Sequence, residues 1–263
     1  MNLDLSGKNA LVGGSTQGIG RAVALELASL GANVTLLARN EQQLAIVAAE
    51  LDTSRGQRHR YWVSDFAQPD QLRQTIAEQI ANTQTIFHIL INNTGGPAAG
   101  SISNATAELF LAAYQQHIVV NQYLAQLVLE GMKTAHYGRI INIISTSVKE
   151  PIEGLGVSNT TRAAVAAWAK TWAGEVAQYG ITVNNVLPGF TNTLRLQSII
   201  ATKQAQSGQS EEAVINVMKS YIPARRFADP AEVAAAVAFL ASPAAAYING
   251  VNLPVDGGRT KSM

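Results

Sequence analysis

Short apolar runs alternate with longer amphipathic stretches from one end of this chain to the other. The first run, Asn9-Ala10-Leu11-Val12, passes directly into three spaced glycines, Gly14, Gly18 and Gly20. An amphipathic segment over residues 21–30 follows at once, so strand, tight turn and helix start are predicted in that order. The same reading predicts further strands over 33–38, 60–63, 87–92, 139–145, 181–187 and 252–255. Helices are predicted over 41–51, 69–82, 107–134, 160–178 and 230–240. Strands that are apolar throughout, separated by helices, imply a parallel sheet covered on both faces. The expected fold class is therefore α/β: one doubly wound Rossmann-type domain over 1–263, with about seven parallel strands and helices on both faces. Residues 196–221 break the alternation, being rich in Gln and Ser with a single Gly208. Two readings are open for them, a mobile lid and a plain helical insertion.

Composition narrows the classes of partner. Hydrophobic residues make up 47% of the 263 positions and charged residues 14%, which excludes a disordered chain and allows a large core. A formal net charge of +1 gives no general reason to expect nucleic acid or an anionic membrane as partner. The absence of cysteine rules out disulfides, thiolate metal sites and a cysteine nucleophile. Residues 1–8 do not resemble a signal peptide, and no uncharged apolar run reaches spanning length, so a cytoplasmic protein is expected. His59, His88, His117 and His136 are scattered without ligand spacing, and no metal is expected.

The glycine turn carries the first chemistry. Free amides at a helix start, aided by the helix dipole, attract phosphate, and glycines let the backbone approach it closely. With Asp65 after the third strand, Asn92-Asn93-Thr94-Gly95 after the fourth and Ser145 ending the fifth, the chain resembles the short-chain dehydrogenase/reductase family over its whole length. Pro188-Gly189 after the sixth strand and Asp256-Gly257-Gly258 near the C-terminus extend the match. Within that family it looks most similar to 3-oxoacyl carrier-protein reductases, as in Ile181-Thr182-Val183-Asn184 and Arg226-Phe227-Ala228-Asp229-Pro230. Gly13 and Thr94 depart from the family's usual Thr and Ala by small groups only.

The resemblance implies a nicotinamide dinucleotide bound by Gly14, Ser15, Thr16, Gln17, Gly18, Ile19, Gly20, Asp65, Phe66, Asn93, Gly95, Pro188, Gly189 and Thr191. An acidic residue ending the second strand would accept from the adenosine ribose and repel a 2′-phosphate. Ala38 and Arg39 stand there instead, and a guanidinium can pair with that phosphate. NADP(H) is therefore expected, with NAD(H) as the alternative.

The resemblance also implies a Tyr-x-x-x-Lys pair, and the count back from Gly180 places Ser158 and Arg162 at those positions. Ser145, thirteen positions before Ser158, matches the spacing of the family's serine. A serine hydroxyl is a far weaker acid than a phenol, so Ser158 cannot take over proton transfer, and an N-cap of the 160–178 helix is its competing structural role. Arg162 keeps the charge that can hold the nicotinamide ribose. His117, with Gln116 beside it, lies near the asparagine position of the family and is the best replacement acid by chemistry. Tyr114, Tyr123 and Tyr137 read as packing residues or loop anchors, and Ser147 as an extra hydroxyl. Expected is an NADP(H)-dependent oxidoreductase acting on a small carbonyl or alcohol, with an atypical site. The alternatives are a dinucleotide-binding sensor or regulatory subunit without redox turnover, and a lyase or isomerase. An apolar stripe of Val120, Leu124, Leu127 and Val128, with Trp168 and Trp172, fits the homo-oligomer, a tetramer, that the resemblance implies; a monomer's own core explains the same stripe.

Overall fold

The computed structural model describes residues 1–262. Seven strands form one parallel sheet: β1 (Asn9–Gly13), β2 (Asn33–Ala38), β3 (Arg60–Val63), β4 (Ile89–Asn92), β5 (Gly138–Ile143), β6 (Ile181–Pro188) and β7 (Asn252–Val255). Their spatial order is β3-β2-β1-β4-β5-β6-β7. The chain thus leaves β1 toward one edge and later returns to β4 on its other side. In an open α/β sheet such a reversal opens a crevice at the carboxyl ends of the strands.

Side chains alternate between two layers, as the pleat requires. Ala10, Val12, Ile89, Ile91, Ile141 and Ile143 pack with α1 (Gly18–Ser29), α2 (Glu41–Glu50) and a C-terminal helix over Pro230–Ala241. Leu11, Leu90, Ile140 and Val183 pack on the opposite face against α3 (Pro69–Thr83) and two long helices. No helix among the described residues is long and apolar enough to cross a membrane.

Several expectations need correction. The helix read over 107–134 is α4 (Ala107–Tyr114) and α5 (Val120–Thr134), joined by one π turn over Gln115–Val119. The next helix, α6 (Gly156–Val176), starts four residues earlier than the apolar spacing suggested. Gly156 permits this, because a Cβ there would lie 2.5 Å from the Cβ of Ile102. Ser158 is therefore inside the first turn, and the capping position belongs to Leu155. The Gln- and Ser-rich stretch forms α7 (Leu194–Ser207) and α8 (Glu211–Ser220), with Gly208 in the left-handed conformation between them; α9 is Pro230–Ala241. Of the apolar stripe on α5, Val120, Leu124 and Val128 are buried in the chain's own core, while Leu127, Trp168 and Trp172 are partly buried, and both tryptophans donate to Gln122.

One polar device crosses the core. Asn92, Asn142, Asn185 and Asn252 stand in register on four adjacent strands. Each carboxamide donates to the next at 2.8 Å, forming a ladder from β4 to β7. Buried amides are tolerated because they satisfy one another. Replacing Asn142 by leucine removes two of the three bonds, leaving the Asn92 carboxamide without its partner and the Asn185 Oδ1 without its donor. Asn142→Leu is expected to lose about 2–4 kcal/mol of stability, read as a lower midpoint in urea denaturation.

Candidate functional site

A cleft of about 1120 Å³ opens where the sheet order reverses. Its floor is the glycine turn between β1 and α1. Gly14 and Gly18 have φ of +56° and +54°, the left-handed region that glycine enters freely. A Cβ on Gly20 would collide with the carbonyl oxygen of Gly14. Asn93 fixes the turn from the β4 side, its amide reaching the carbonyl oxygens of Gly13 and Gly14 at 3.1 and 3.2 Å.

The amides that open α1 have no side-chain cap, and no acidic residue occupies its first turn. Uncapped N–H groups beside a glycine turn that a Cβ would fill fit a bound pyrophosphate. Thr16, Gln17, Ile19 and the three glycines line the cleft there. Ser15 differs from the expectation. It is fully buried and outside the lining, and its hydroxyl accepts the Leu37 N–H at 3.1 Å, stitching the turn to β2.

At the β2–β3 end, Ala38, Arg39, Asp65 and Phe66 line the wall. Arg39 is exposed and has no ion-pair partner among the described residues, while the Asp65 carboxylate accepts the Ala67 N–H. Asp65 thus caps its own strand end. Its lining position leaves it facing the cleft as well.

The other end is built from β5, β6, α6 and α7. Ser145 follows β5, and its Oγ accepts the Ser147 N–H at 3.0 Å. That leaves the hydroxyl proton free to be donated. Ser158 and Arg162, one helical turn apart on α6, line the same wall, with Gly95 opposite and Pro188, Gly189 and Thr191 leaving β6. Arg162 is 8% exposed, and Nη1 donates to the Ile143 carbonyl at 3.1 Å. Burial and the neighbouring Arg195 push its pKa down to about 10, so it remains charged at neutral pH. Leu194, Arg195, Leu196 and Ile199 of α7 close the cleft from above. Arg195 is the functional candidate that the sequence reading missed. The available signal was a basic residue within the first turn of the helix after β6, one position before the Gln- and Ser-rich stretch.

His117 requires a second correction. The π turn brings Gln116 to the lining and leaves His117 buried behind it, with Nε2 unpartnered. Desolvation, then the Arg162 charge, lowers its pKa to about 2, so it is neutral at physiological pH and cannot serve as the acid. No Tyr, Lys or His lines the cleft among the described residues. Tyr123 donates to Asp70, Tyr137 donates to the Ala241 carbonyl, and Tyr114 is exposed. Among those residues there is also no metal-holding cluster of His, Asp or Glu.

Comparison with known proteins gives consistent relatives. The family model described as enoyl-(acyl carrier protein) reductase matches residues 14–260. The chain is 35% identical over 254 residues to the 3-oxoacyl-[acyl-carrier-protein] reductase FabG of Haemophilus influenzae, covering 97% of this chain and 98% of that protein. It is 29% identical to the NADPH-dependent reductase BacG of Bacillus subtilis, covering 98% and 100%. Among solved structures, L-sorbose reductase from Gluconobacter frateurii, complexed with NADPH and L-sorbose, superposes with a TM-score of 0.92 at 30% identity, covering both chains fully.

The buried histidines give a pH signature. His117 and His88, the latter lowered to about 4 chiefly by desolvation and then by Lys8, resist protonation when folded but take up a proton near pH 6.5 when unfolded. Their contribution is complete above that value and is lost as the pH falls. His117→Gln should reduce the stability lost between pH 7 and pH 5 by roughly 2 kcal/mol, measured by urea denaturation at both values.

Proposed function

The chain belongs to the short-chain dehydrogenase/reductase family, and from that premise we propose that it is an NADP(H)-dependent carbonyl reductase with an altered proton-transfer site. The observation that carries this reading is the cleft itself. It joins an uncapped α1 terminus, an unpaired Arg39 and a free Ser145 hydroxyl at the switch point of one sheet. The NADPH named for BacG and for the sorbose reductase structure supports the same choice.

The α1 amides and the glycine turn hold the pyrophosphate, and Arg39 takes the 2′-phosphate at a strand end that lacks the acid which would repel it. Asp65 and the Phe66 backbone flank the adenine. Asn93, Gly95, Pro188, Gly189 and Thr191 shape the nicotinamide end. Arg162 donates to the nicotinamide ribose hydroxyls, the task of the family's lysine. When bound, the coenzyme supplies a hydride to the carbonyl carbon, while a proton from water reaches the oxygen to give a secondary alcohol. Ser145 donates a hydrogen bond to that oxygen, with Ser158 beside it. Neither serine is acidic enough to replace a phenol, so turnover is slow on unselected ketones. Positioning and a preorganised donor still lower the barrier.

Residues 196–221 act as the lid over this site, since Leu196 and Ile199 of α7 line its wall. The homo-oligomer, a tetramer, forms through apolar groups that the core leaves exposed, among them Leu109, Leu111 and Tyr114 on α4.

The test is fluorescence titration with NADPH and NADH, followed by consumption of the bound coenzyme with a panel of ketones and 3-oxoacyl thioesters. NADPH is expected to bind more tightly, and Arg39→Asp should shift the preference toward NADH by about tenfold or more. The double change Ser158→Tyr with Arg162→Lys is expected to raise ketone reduction. NADPH binding without turnover across the panel would favour the regulatory alternative.

A further inference from the structure

Four charged side chains line the cleft: Arg39, Asp65, Arg162 and Arg195. Asp65 follows β3, whereas Arg162 and Arg195 sit beyond the ends of β5 and β6. Four strand spacings separate β3 from β5 in the sheet order, about 19 Å, so Asp65 cannot neutralise them. No carboxylate of the described residues pairs with either arginine.

The two guanidiniums meet around one loop. Nη2 of Arg162 would lie 3.5 Å from a Cβ on Gly96. Nη2 of Arg195 donates to the Pro97 carbonyl at 2.8 Å. Their mutual repulsion contributes to the lowered proton affinity of Arg162. Arg162 is the desolvated member, whereas Arg195 is exposed at the cleft, so the cost falls on the buried cation until an anion joins the two. Each guanidinium carries five N–H donors, and the backbone carbonyls of Ile143 and Pro97 leave most of them unused. The planar fork suits a carboxylate.

We infer that the inner end of the cleft binds the carboxylate of a short oxo acid, held by Arg195 and Arg162 with its ketone beside Ser145. This rests on the reductase reading above and names its substrate class. A thioester of the same acid lacks the charge and gains nothing from these residues. Arg162 serves two neighbours, because its donors outnumber the hydroxyls of one ribose. Arg195 is thereby the residue that sets the preference.

Matched pairs differing only in charge provide the test. Acetoacetate and pyruvate are titrated calorimetrically against their methyl esters into the NADPH-loaded protein, and turnover is followed by NADPH absorbance. The acids are expected to bind and react about 10- to 100-fold better than the esters, the worth of a hydrogen bond between charged groups. Arg195→Ala, confirmed folded by its thermal melt, should bring that ratio close to unity. The inference is overturned if the NADPH-loaded wild type treats acid and ester alike, or prefers the N-acetylcysteamine thioester of acetoacetate. Retention of the full acid preference by Arg195→Ala overturns it equally. Failure of the wild type to bind NADPH would instead sink the reductase reading, and the same titrations without coenzyme would still decide the carboxylate site.

Discussion

The carboxamide of Asn93, lodged between the carbonyl oxygens of Gly13 and Gly14, is the junction to which the rest of the cleft is referred. β1 and β4 run side by side, but their ladder pairing ends at Val12 and Ile91, and the segments leaving them stay close without it. The side chain of Asn93 supplies that missing link. It sets the glycine turn at the height where the α1 amides open, and it crowds Gly14 and Gly20 so closely that neither tolerates a Cβ. The requirement for glycine is thus imposed by a neighbouring strand as much as by any ligand.

Polar groups in the core and along the cleft fall into two kinds. The asparagine ladder is internally satisfied over most of its length and holds four strands in register beneath the site. Arg162 and Arg195 are not matched by any acid of the described chain. A fold that pairs its buried amides so thoroughly, yet leaves two arginines together without a counter-charge, concentrates its electrostatic imbalance in one place. That place is also where Ser145 presents a free hydroxyl, so the imbalance lies within reach of a reacting carbonyl.

Much of this was legible from residue order. The strands and most helices follow from apolar spacing, because a parallel sheet buried on both faces leaves long hydrophobic runs. The turn at Gly14–Gly20, the Arg39 position and Ser145 were readable from residue type at a strand end. What escaped depends on tertiary contact. Helix α6 starts at Gly156, where the missing Cβ lets Ile102 pack closely, and no local signal at Ser158 reports that. The stripe on α5 has the spacing of an interface and of a core alike, and only packing distinguishes them. Arg195 lay unnoticed because its importance comes from a partner more than thirty residues away in sequence.

The π turn over Gln115–Val119 is equivalent to one surplus residue in an otherwise continuous helix. Such a surplus is absorbed locally, so α4 and α5 each keep the faces they present to the core. A chain shortened by one residue there would relax into ordinary helix without repacking its flanks, while exchanging which side chain faces the pocket and which lies against Arg162. Evolution can therefore revise the back wall of the site by a single-codon deletion, a route closed to every strand beneath it.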